Sequence, residues 1–508
     1  MRRLLHLVVP CLTVLSGCYG TEKGVEVPQD EIYFPVGLAL DPQLNEAGQP
    51  KFLYVVSSDF DLQYNGGAIQ SYNLEQVAAE LPSFCPGSDD LCKPTKLSPT
   101  NPGEPCYAGP KSSADRLLFP GPCNSLSPDD FHDGTRTASV KIGAFATDAI
   151  IRRNAGADNP RLFVPVRGDA TLHFIDVDAD GNLQCGQSNN DGACDAQHRA
   201  GQDPAENTRN IVLNAEPFGI AANPQGDTVV VTNQTTGTAS LFETKNWATG
   251  PQLKFGLASD VIPQQPVGVV YVPRVQDYPG LAAVEDPKIP ETFMMAFRDS
   301  AQVRLVRTAD DADSTPARPY LVDGGGVGIG ANSVGSDSRG IAVDDSARKA
   351  ALARCAPDDA DCVKSAALVP LDVYVANRTP ASLLIGRSQP PQEYPYFFDT
   401  IPLTAGPSRV VVGQVKNVAG ESETRIFVVC FDSRRVFVYD PKRARLEVEI
   451  FTGRGPHALA IDTQRSLLYV GHFTDSYIGV YSLDLSHPAT YGTMLASLGT
   501  PKAPRSSK

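Results

Sequence analysis

A strand pattern recurs seven times along this chain, and it constrains the fold more than any other feature. Each copy opens with a small residue and an apolar strand, turns into a second apolar strand with a polar end, and continues into an alternating third strand. The third copy reads EPFGIAANPQGDTVVVTNQ and then TASLFET. A fourth strand fits between successive copies, such as RNIVLNAE after the second. Seven copies of four strands predict an all-β fold, a seven-bladed β-propeller.

The small residues that open the first strands have a physical reason. The innermost strands of a propeller crowd around its axis, where main chains approach closely and a side chain is in the way. Copies six and seven have other residues there, so glycine is preferred at this position but not required. The positions are Gly37, Gly143, Gly219, Gly268, Gly340, Arg409 and Ala458.

These copies resemble the YVTN-type repeats of bacterial propeller proteins. The segments LYVGHFTDSYIGVYSLD and TVVVTNQTTGTASLFE carry the resemblance most clearly, and it extends over most of the chain. The wider group includes surface-layer repeat proteins and lactonase-like propellers. Because each motif is short, the resemblance implies a fold and leaves the activity open.

The first residues of the chain predict export and lipid attachment. Arg2 and Arg3 precede the apolar run LLHLVVPCLTVL, which is too short to cross a bilayer, and the run ends in LSGC. This tetrapeptide resembles the bacterial lipobox, so we expect residues 1–17 to be a signal peptide and Cys18 to be acylated. An ordinary secretory signal with an incidental cysteine is the alternative. Tyr19 follows the cysteine where inner-membrane lipoproteins commonly carry aspartate, which favours the outer membrane.

The expected domain organisation follows from the leader and the repeats. Residues 18–31 form a tether, 32–500 the propeller and 501–508 a disordered tail. Four long insertions interrupt the repeats, and by their place in the pattern all four leave the same face of the propeller. A functional face and drift at tolerant loop tips are both open explanations. The insertions are 75–138, 179–208, 274–290 and 345–369.

Paired cysteines lie within these insertions and agree with an exported protein. Their spacings are wider than those of zinc knuckles and no histidine is in register, so disulfides are favoured over metal binding. Cys430, in the apolar run RIFVVCF, is expected to be a buried small hydrophobe. The predicted pairs are Cys85–Cys92, Cys106–Cys123, Cys185–Cys194 and Cys355–Cys362.

The opposite face of the propeller holds the candidate ligand site. It receives the residues before each first-strand small residue, namely Val36, Ile142, Phe218, Val267, Arg339, Ser408 and His457. Four of these are apolar, which suits a plugged channel mouth, although solvated rim residues are an alternative reading for the polar ones. The candidate ligand-binding residues are Arg167, Asn233, Arg298, Arg339, Asn377, Arg409, His457 and His472.

One segment has the donor pattern of a calcium loop. In DVDADGN, Asp176, Asp178 and Asp180 alternate and Asn182 follows a glycine, as in the first half of such a loop. The closing acidic ligand is missing, so an aspartate-rich turn is the competing interpretation. Calcium is the one cofactor that the sequence suggests.

The remaining evidence favours binding over catalysis. No phosphate-binding loop, nucleophile elbow, zincin motif or dinucleotide fingerprint occurs. The carboxylates at the ends of the first strands, Asp41, Asp148, Asp344 and Asp462, are expected to form turns. The net charge of −14 argues against nucleic-acid binding. We therefore expect a non-catalytic envelope lipoprotein, a scaffold or binding module for protein or carbohydrate partners. A lactonase-like or lyase-like enzyme is the alternative.

Overall fold

The strands of the computed structural model assemble into the seven-bladed β-propeller that the repeat predicts. The innermost strands of neighbouring blades contact one another around the axis, and those of the first and last blades also meet, which closes the ring. The residues that the structure describes are 24–84, 91–93, 125–128, 138–154, 156–186, 192–201, 213–278, 290–310, 319–329, 337–356 and 359–499.

Each blade contributes its strands in order from the axis outward. The innermost strands are β1 (Pro35–Leu40), β8 (Ile150–Arg152), β13 (Pro217–Ala222), β17 (Pro266–Val272), β21 (Ser338–Asp344), β25 (Pro407–Lys416) and β29 (Pro456–Asp462). The second strands are β2 (Phe52–Ser57), β9 (Arg161–Val166), β14 (Thr228–Asn233), β18 (Thr292–Phe297), β22 (Asp372–Arg378), β26 (Ser422–Cys430) and β30 (Leu467–His472).

The outer half of each blade continues the same antiparallel order. The third strands are β3 (Gly67–Asn73), β10 (Thr171–Val177), β15 (Thr238–Glu243), β19 (Gln302–Asp310), β23 (Ala381–Gln389), β27 (Arg435–Asp440) and β31 (Tyr477–Ser482). The outermost strands are β7 (Ser139–Ile142), β11 (Leu183–Gln184) with β12 (Arg199–Ala200), β16 (Gln252–Leu257), β20 (Pro319–Gly328), β24 (Tyr394–Pro402), β28 (Arg445–Phe451) and β32 (Met494–Leu498).

The second strands are apolar throughout because each lies between two neighbouring blades. In β2, Leu53 and Val55 belong to the apolar cluster shared with the last blade, whereas Tyr54 and Val56 belong to the cluster shared with the second blade. Successive side chains of a strand point to opposite faces, so both faces here are buried. The hydrophobic core is therefore a set of layers between blades.

Glycine at the start of the first strands meets the main chain of the next blade, as predicted. A Cβ atom on Gly268 would lie 2.8 Å from the carbonyl oxygen of Arg339, and one on Gly340 would lie 2.7 Å from the amide nitrogen of Val410. The pairing register shifts next to this position in six of the blades, which marks a bulge in each innermost strand.

The second blade departs from the predicted pattern at its first strand. Ile142 and Gly143, placed at its opening, instead end β7 and begin the connection between the blades. Thr147 occupies the position predicted for Ile142, since its amide donates to the carbonyl of Pro165, in the second strand of the same blade, at 3.1 Å. The repeat was misaligned because KIG resembles the glycine motif that opens the other copies.

The outermost strand of the second blade also differs from the prediction. The segment RNIVLNAE was expected to supply it, but residues 213–216 belong to no strand and residues 209–212 lie outside the described part of the chain. The insertion itself supplies the edge, because β11 and β12 both pair with β10. RNIVLNAE was favoured because it is long and apolar enough for a strand, whereas β11 and β12, with two residues each, are too short to be recognised in the sequence.

The predicted insertions hold short elements of their own. The first contains α1 (Leu74–Glu80), β4 (Ser83–Phe84), β5 (Leu91–Lys93) and β6 (Ser125–Leu126), and the last contains α2 (Ser346–Leu352) and α3 (Ala360–Ala367). Two 3₁₀ turns, Ala196–His198 and Val275–Asp277, lie in the others. Among the described residues, no helix is long and apolar enough to span a membrane.

Several blade edges are covered by additional main chain. β6 pairs in parallel with β32 of the last blade, although it belongs to the insertion of the first blade. On the first blade, Lys141 of β7 exchanges main-chain hydrogen bonds with Gly192 and Cys194, at 2.9 and 3.0 Å. β16 and β20 touch at Phe255 and Tyr320, which joins the third and fourth blades into one sheet. Covered edges protect a sheet from unwanted pairing.

The cysteine predictions are confirmed where the structure describes them. Disulfides join Cys185 to Cys194 and Cys355 to Cys362. Cys430 is free and buried, and burial raises the pKa of its thiol to about 12, so it is an inert part of the core. The other pairs remain predictions, because Cys85, Cys106, Cys123 and the side chain of Cys92 lie outside the described residues.

Candidate functional site

Two faces of the propeller are candidates for function. The mouth face carries the loops between second and third strands, and the insertion face carries the insertions. The mouth-face loops are residues 58–66, 167–170, 234–237, 298–301, 379–380, 431–434 and 473–476.

The central channel contains a cavity of about 260 Å³ that the innermost strands line. At the bulges of these strands, Phe218, Val267, Arg339, Ser408 and His457 all reach it. The bulge explains this convergence, because a bulged residue has no partner on the neighbouring strand and leaves the regular ladder. Five of the seven positions predicted to face the mouth therefore line one cavity.

An ion pair spans the channel from one side to the other. Arg409 on β25, in the sixth blade, pairs with Asp148, which precedes β8 in the second blade. Both groups are about four-fifths buried, with 22% and 18% of their side chains exposed. Asp148 was expected to form a turn away from the channel, which is wrong because the first strand of the second blade begins later than predicted. By contrast, Asp41, Asp344 and Asp462 do accept hydrogen bonds from turn amides.

His457 is a neutral hydrogen-bonding group inside this cavity. Burial and, second, the positive charge of Arg409 lower the pKa of its imidazole to about 3. Arg339 faces the same group, although Asp337 holds its guanidinium with hydrogen bonds of 2.5 and 2.8 Å. The cavity thus offers paired guanidinium groups and a neutral imidazole.

Ion pairs between neighbouring blades surround the mouth. Arg167 and Glu216 link the second and third blades at 2.5 Å. Arg298 lies 3.7 Å from Asp337 across the fourth and fifth blades. Arg378 and Asp432 pair across the next junction. The cationic groups predicted for ligand binding are therefore largely neutralised by acidic neighbours.

Aromatic rings close the other side of the mouth. Ring centroids lie 5.1 Å apart between Phe34 and Phe473, 5.2 Å between Phe60 and Phe473, and 6.0 Å between Phe60 and Phe145. Phe431 joins the group at 6.2 Å from Phe473. Sequence reasoning missed this aromatic cluster, although Phe431 and Phe473 each follow a second strand directly and so carry a readable signal.

Three of the predicted ligand-binding residues are buried inside the blades. Asn233 accepts from Ser240 and donates to the carbonyl of Asn214, at 2.8 and 2.9 Å. Asn377 donates to the carbonyl of Pro380 at 3.0 Å. His472 is stacked on Tyr477 with 4.0 Å between ring centroids, and burial lowers its pKa to about 3. These side chains hold turns and blade cores together and do not reach the mouth.

The calcium-like segment forms a turn. Asp178 accepts hydrogen bonds from the main-chain amides of Asp180 and Asn182, each at 2.9 Å. Asp176 instead binds the buried guanidinium of Arg161 with two hydrogen bonds of 2.7 and 2.9 Å. The four side chains predicted to bind calcium are therefore not arranged around a common point. Within the described part of the chain, no group of three or more His, Cys, Asp or Glu side chains is placed to hold a metal ion.

On the insertion face, Arg348 ties two insertions to the blades. Its fully buried guanidinium donates to the carbonyls of Val369 and Pro273 at 2.8 and 3.1 Å, and to the carboxylate of Glu393 at 2.8 Å. The hydroxyl of Tyr278 also donates to Asp345 at 3.1 Å, which joins the insertions of the fourth and fifth blades. The helix pair α2–α3 is thereby fixed to its support.

Comparison with known proteins bears on the fold alone. No protein-family model and no curated protein matches the chain. Among solved structures, it resembles a periplasmic gluconolactonase of Pseudomonas aeruginosa at 12% identity, over 83% of this chain and 86% of that one, with a TM-score of 0.44. A Lactobacillus plantarum protein matches at 10% identity over 84% and 86%, with a TM-score of 0.44. Sqt1 of Saccharomyces cerevisiae matches at 7% over 94% and 88%, with a TM-score of 0.46.

Proposed function

We propose that this chain is a lipid-anchored binding module of the bacterial cell envelope that presents its insertion face to a protein partner. Cys18 in the LSGC motif supplies the anchor, and Tyr19 after it favours the outer membrane. The propeller is the rigid support of that face.

The fixation of the α2–α3 pair carries this proposal. A disulfide joins Cys355 to Cys362 between the helices, and Arg348 anchors α2 to the fourth and fifth blades. Ordering a loop during association weakens binding, so a loop that is already ordered binds more tightly. On the outer side, Lys364 is exposed and Leu368 has 56% of its surface exposed. An exposed leucine on a rigid support offers apolar surface that a partner can bury without first ordering a loop.

The channel supports binding in preference to catalysis. Asp148 is the one carboxylate among the described residues that line the cavity, and Arg409 already pairs with it. A carboxylate whose oxygen is already held by a guanidinium is not free to accept a proton from a substrate. A lactonase-like enzyme that used this cavity would need Asp148 as its catalytic carboxylate.

Affinity capture from detergent-solubilised envelope tests the proposal. We expect the parent protein to retain a defined partner that the double variant Lys364→Glu/Leu368→Asp loses. Phe398→Asp is the matched control, since Phe398 is 55% exposed on β24 at the outer wall of the fifth blade, away from both faces. Retention of the same partner by the double variant contradicts the proposed face. Hydrolysis of a sugar lactone that Arg409→Ala abolishes would instead establish the enzymatic alternative.

Mass spectrometry of the protein tests the anchor directly. Lipid on Cys18 of the purified protein, together with membrane release of a Cys18→Ser variant or its failure to be processed, is the expected result. A Cys18→Ser protein that stays as tightly membrane-bound as the parent contradicts the lipoprotein assignment.

A further inference from the structure

The first described residues show where the chain enters the propeller. The carbonyl of Val25 accepts a hydrogen bond of 3.0 Å from the amide of Asn65, in the loop between β2 and β3. The side chain of Glu26 pairs with Lys141 at 3.2 Å. Further along, Tyr33 packs on Tyr64 of the same loop with 5.1 Å between ring centroids. The entering chain therefore lies on the mouth face of the first blade.

The length of chain between this point and the proposed anchor is short. Gly24 follows Cys18 by six residues. Even a fully extended chain of that length spans only about 20 Å. If Cys18 is acylated, the bilayer surface lies within that distance of residues 24 and 65. The mouth face is thus the face that the anchor brings to the membrane.

The same place on the mouth face exposes apolar side chains. Phe60 and Leu62, in the loop between β2 and β3, are 52% and 62% exposed, and Val25, whose carbonyl binds the amide of Asn65 in the same loop, is 65% exposed. Soluble proteins seldom group such side chains on a free surface, and grouped ones mark an interaction site. We call Val25, Phe60 and Leu62 the apolar tip.

The loop is held in the shape that exposes this tip. Leu62 has a φ of 54°, in the left-handed region that residues other than glycine avoid. Its amide donates to the carbonyl of Asp59 at 3.3 Å, and the buried carboxylate of Asp59 accepts from the amide of Tyr64 at 3.1 Å. Behind the loop, Phe60 packs on Phe473. These contacts hold the loop with the side chain of Leu62 on its outer surface.

We propose that the apolar tip contacts the lipid bilayer, so that the mouth face is apposed to the membrane and the insertion face points away from it. This inference rests on the proposed acylation of Cys18, because only the anchor brings this face to the membrane. Asp61 lies exposed between Phe60 and Leu62, which confines the contact to the hydrated headgroup region. Aromatic and aliphatic side chains next to a lipid anchor are favourable at that depth.

Quenching by brominated lipid measures this contact. The purified acylated protein is bound to phosphatidylcholine vesicles with or without bromine on the acyl chains. Phe60→Trp and Val25→Trp each add a reporter at the apolar tip, and Trp247, the only native tryptophan, is common to all variants. We expect the added emission of both variants to shift to shorter wavelength on binding and to lose intensity with brominated lipid. Phe255→Trp is the control, since Phe255 is 54% exposed on the outer wall of the third blade. Its emission should be unchanged.

The outcomes separate this inference from the proposed function. Protein without lipid on Cys18 refutes the anchor and with it the basis of the inference. Acylated, vesicle-bound protein in which neither Phe60→Trp nor Val25→Trp is quenched overturns the inference alone. Equal quenching at position 255 also overturns it, because that result means that the propeller has no preferred orientation on the membrane.

Discussion

Arg409 of the sixth blade and Asp148 of the second form an ion pair across the central channel, between blades that are not neighbours in the ring. The pair links opposite sides of the propeller. We expect Arg409→Met and Asp148→Asn each to lower the free energy of unfolding by about 1–2 kcal/mol, because each leaves a largely buried charge without its partner. Denaturant unfolding of both variants and of the double variant measures the coupling. The control is the pair of Arg387 and Asp372, with 45% and 27% of its side chains exposed, and Asp372→Asn should have less than about half that effect. Strictly additive effects at 409 and 148 would contradict the coupling.

Substitution of Glu393 is expected to destabilise the protein more than substitution of an exposed acidic residue. Its carboxylate compensates Arg348, whose guanidinium is fully buried. Glu393→Gln should lower the free energy of unfolding by about 3 kcal/mol and speed hydrogen exchange in α2 and α3, since a buried charge without its partner is costly. Asp372→Asn removes the partner of Arg387, a pair with 45% and 27% of its side chains exposed, and should change stability little. An effect of Glu393→Gln no larger than that of Asp372→Asn argues against the anchoring role of Arg348.

The two disulfides should differ in what their loss does. By loop entropy each contributes at most about 2–3 kcal/mol. Cys185→Ser/Cys194→Ser should have the larger effect, because the main chain of Cys194 also covers the edge of the first blade. Cys355→Ser/Cys362→Ser should mainly loosen the helix pair. Thermal unfolding measures both, and non-reducing peptide mapping checks in addition whether Cys85–Cys92 and Cys106–Cys123 exist. Equal and global destabilisation by both double variants is the result that we do not expect.

Leu126 should stabilise the last blade although it belongs to the first blade's insertion. It is 2% exposed in the cluster shared by these two blades. Leu126→Ala is expected to lower the free energy of unfolding by about 2–4 kcal/mol, as truncations of buried leucines do. A deletion of 75–138 that joins Leu74 to Ser139 should destabilise at least as much. Leu44→Ala, at a site 55% exposed, is the control and should be close to neutral. A Leu126→Ala protein as stable as the parent means that β6 does not hold the ring.

Asp41 should make stability depend on pH. Burial raises the pKa of its carboxyl from 3.8 to about 6. Because the folded-state pKa lies above the unfolded one, the contribution to stability is full below about pH 4 and is lost as the pH rises through about 6. Asp41→Asn keeps the acceptor for the amide of Gln43 and should gain up to about 3 kcal/mol at pH 7. Unfolding at pH 4 and pH 7 measures the difference. A gain that is equal at both values refutes the assignment to Asp41.

The blade count could be predicted from the sequence because blade contacts are local and repetitive. Alternation between two buried faces makes segments such as FLYVVS apolar throughout, and glycine at position 268 or 340 is required by one close main-chain approach. The same reasoning failed at Gly143. This glycine has the neighbours of a strand-opening glycine, but it lies in the connection between the first and second blades. Position in the repeat identifies a strand only when the turn after it is also recognised.

The site could be predicted only in part, because it depends on contacts between distant residues. Arg339 and His457, which the repeat places before a small residue, line the cavity. Asp148 was read as a local turn former, since nothing near it in sequence indicates Arg409 as a partner. Similarly, Asn233 and His472 are the last residues of second strands, but packing decides whether a side chain at such a position points outward or into the blade. Short edge strands such as β6 carry too little pattern to be read at all.

The pairing of β6 with β32 also sets an order of events while the chain is synthesised. Ser125 precedes its partner Ser497 by 372 residues along the chain, the difference between the two positions. The contact between β6 and the last blade therefore cannot form until the chain between these two residues has been made. Such very long-range pairing is slow to form.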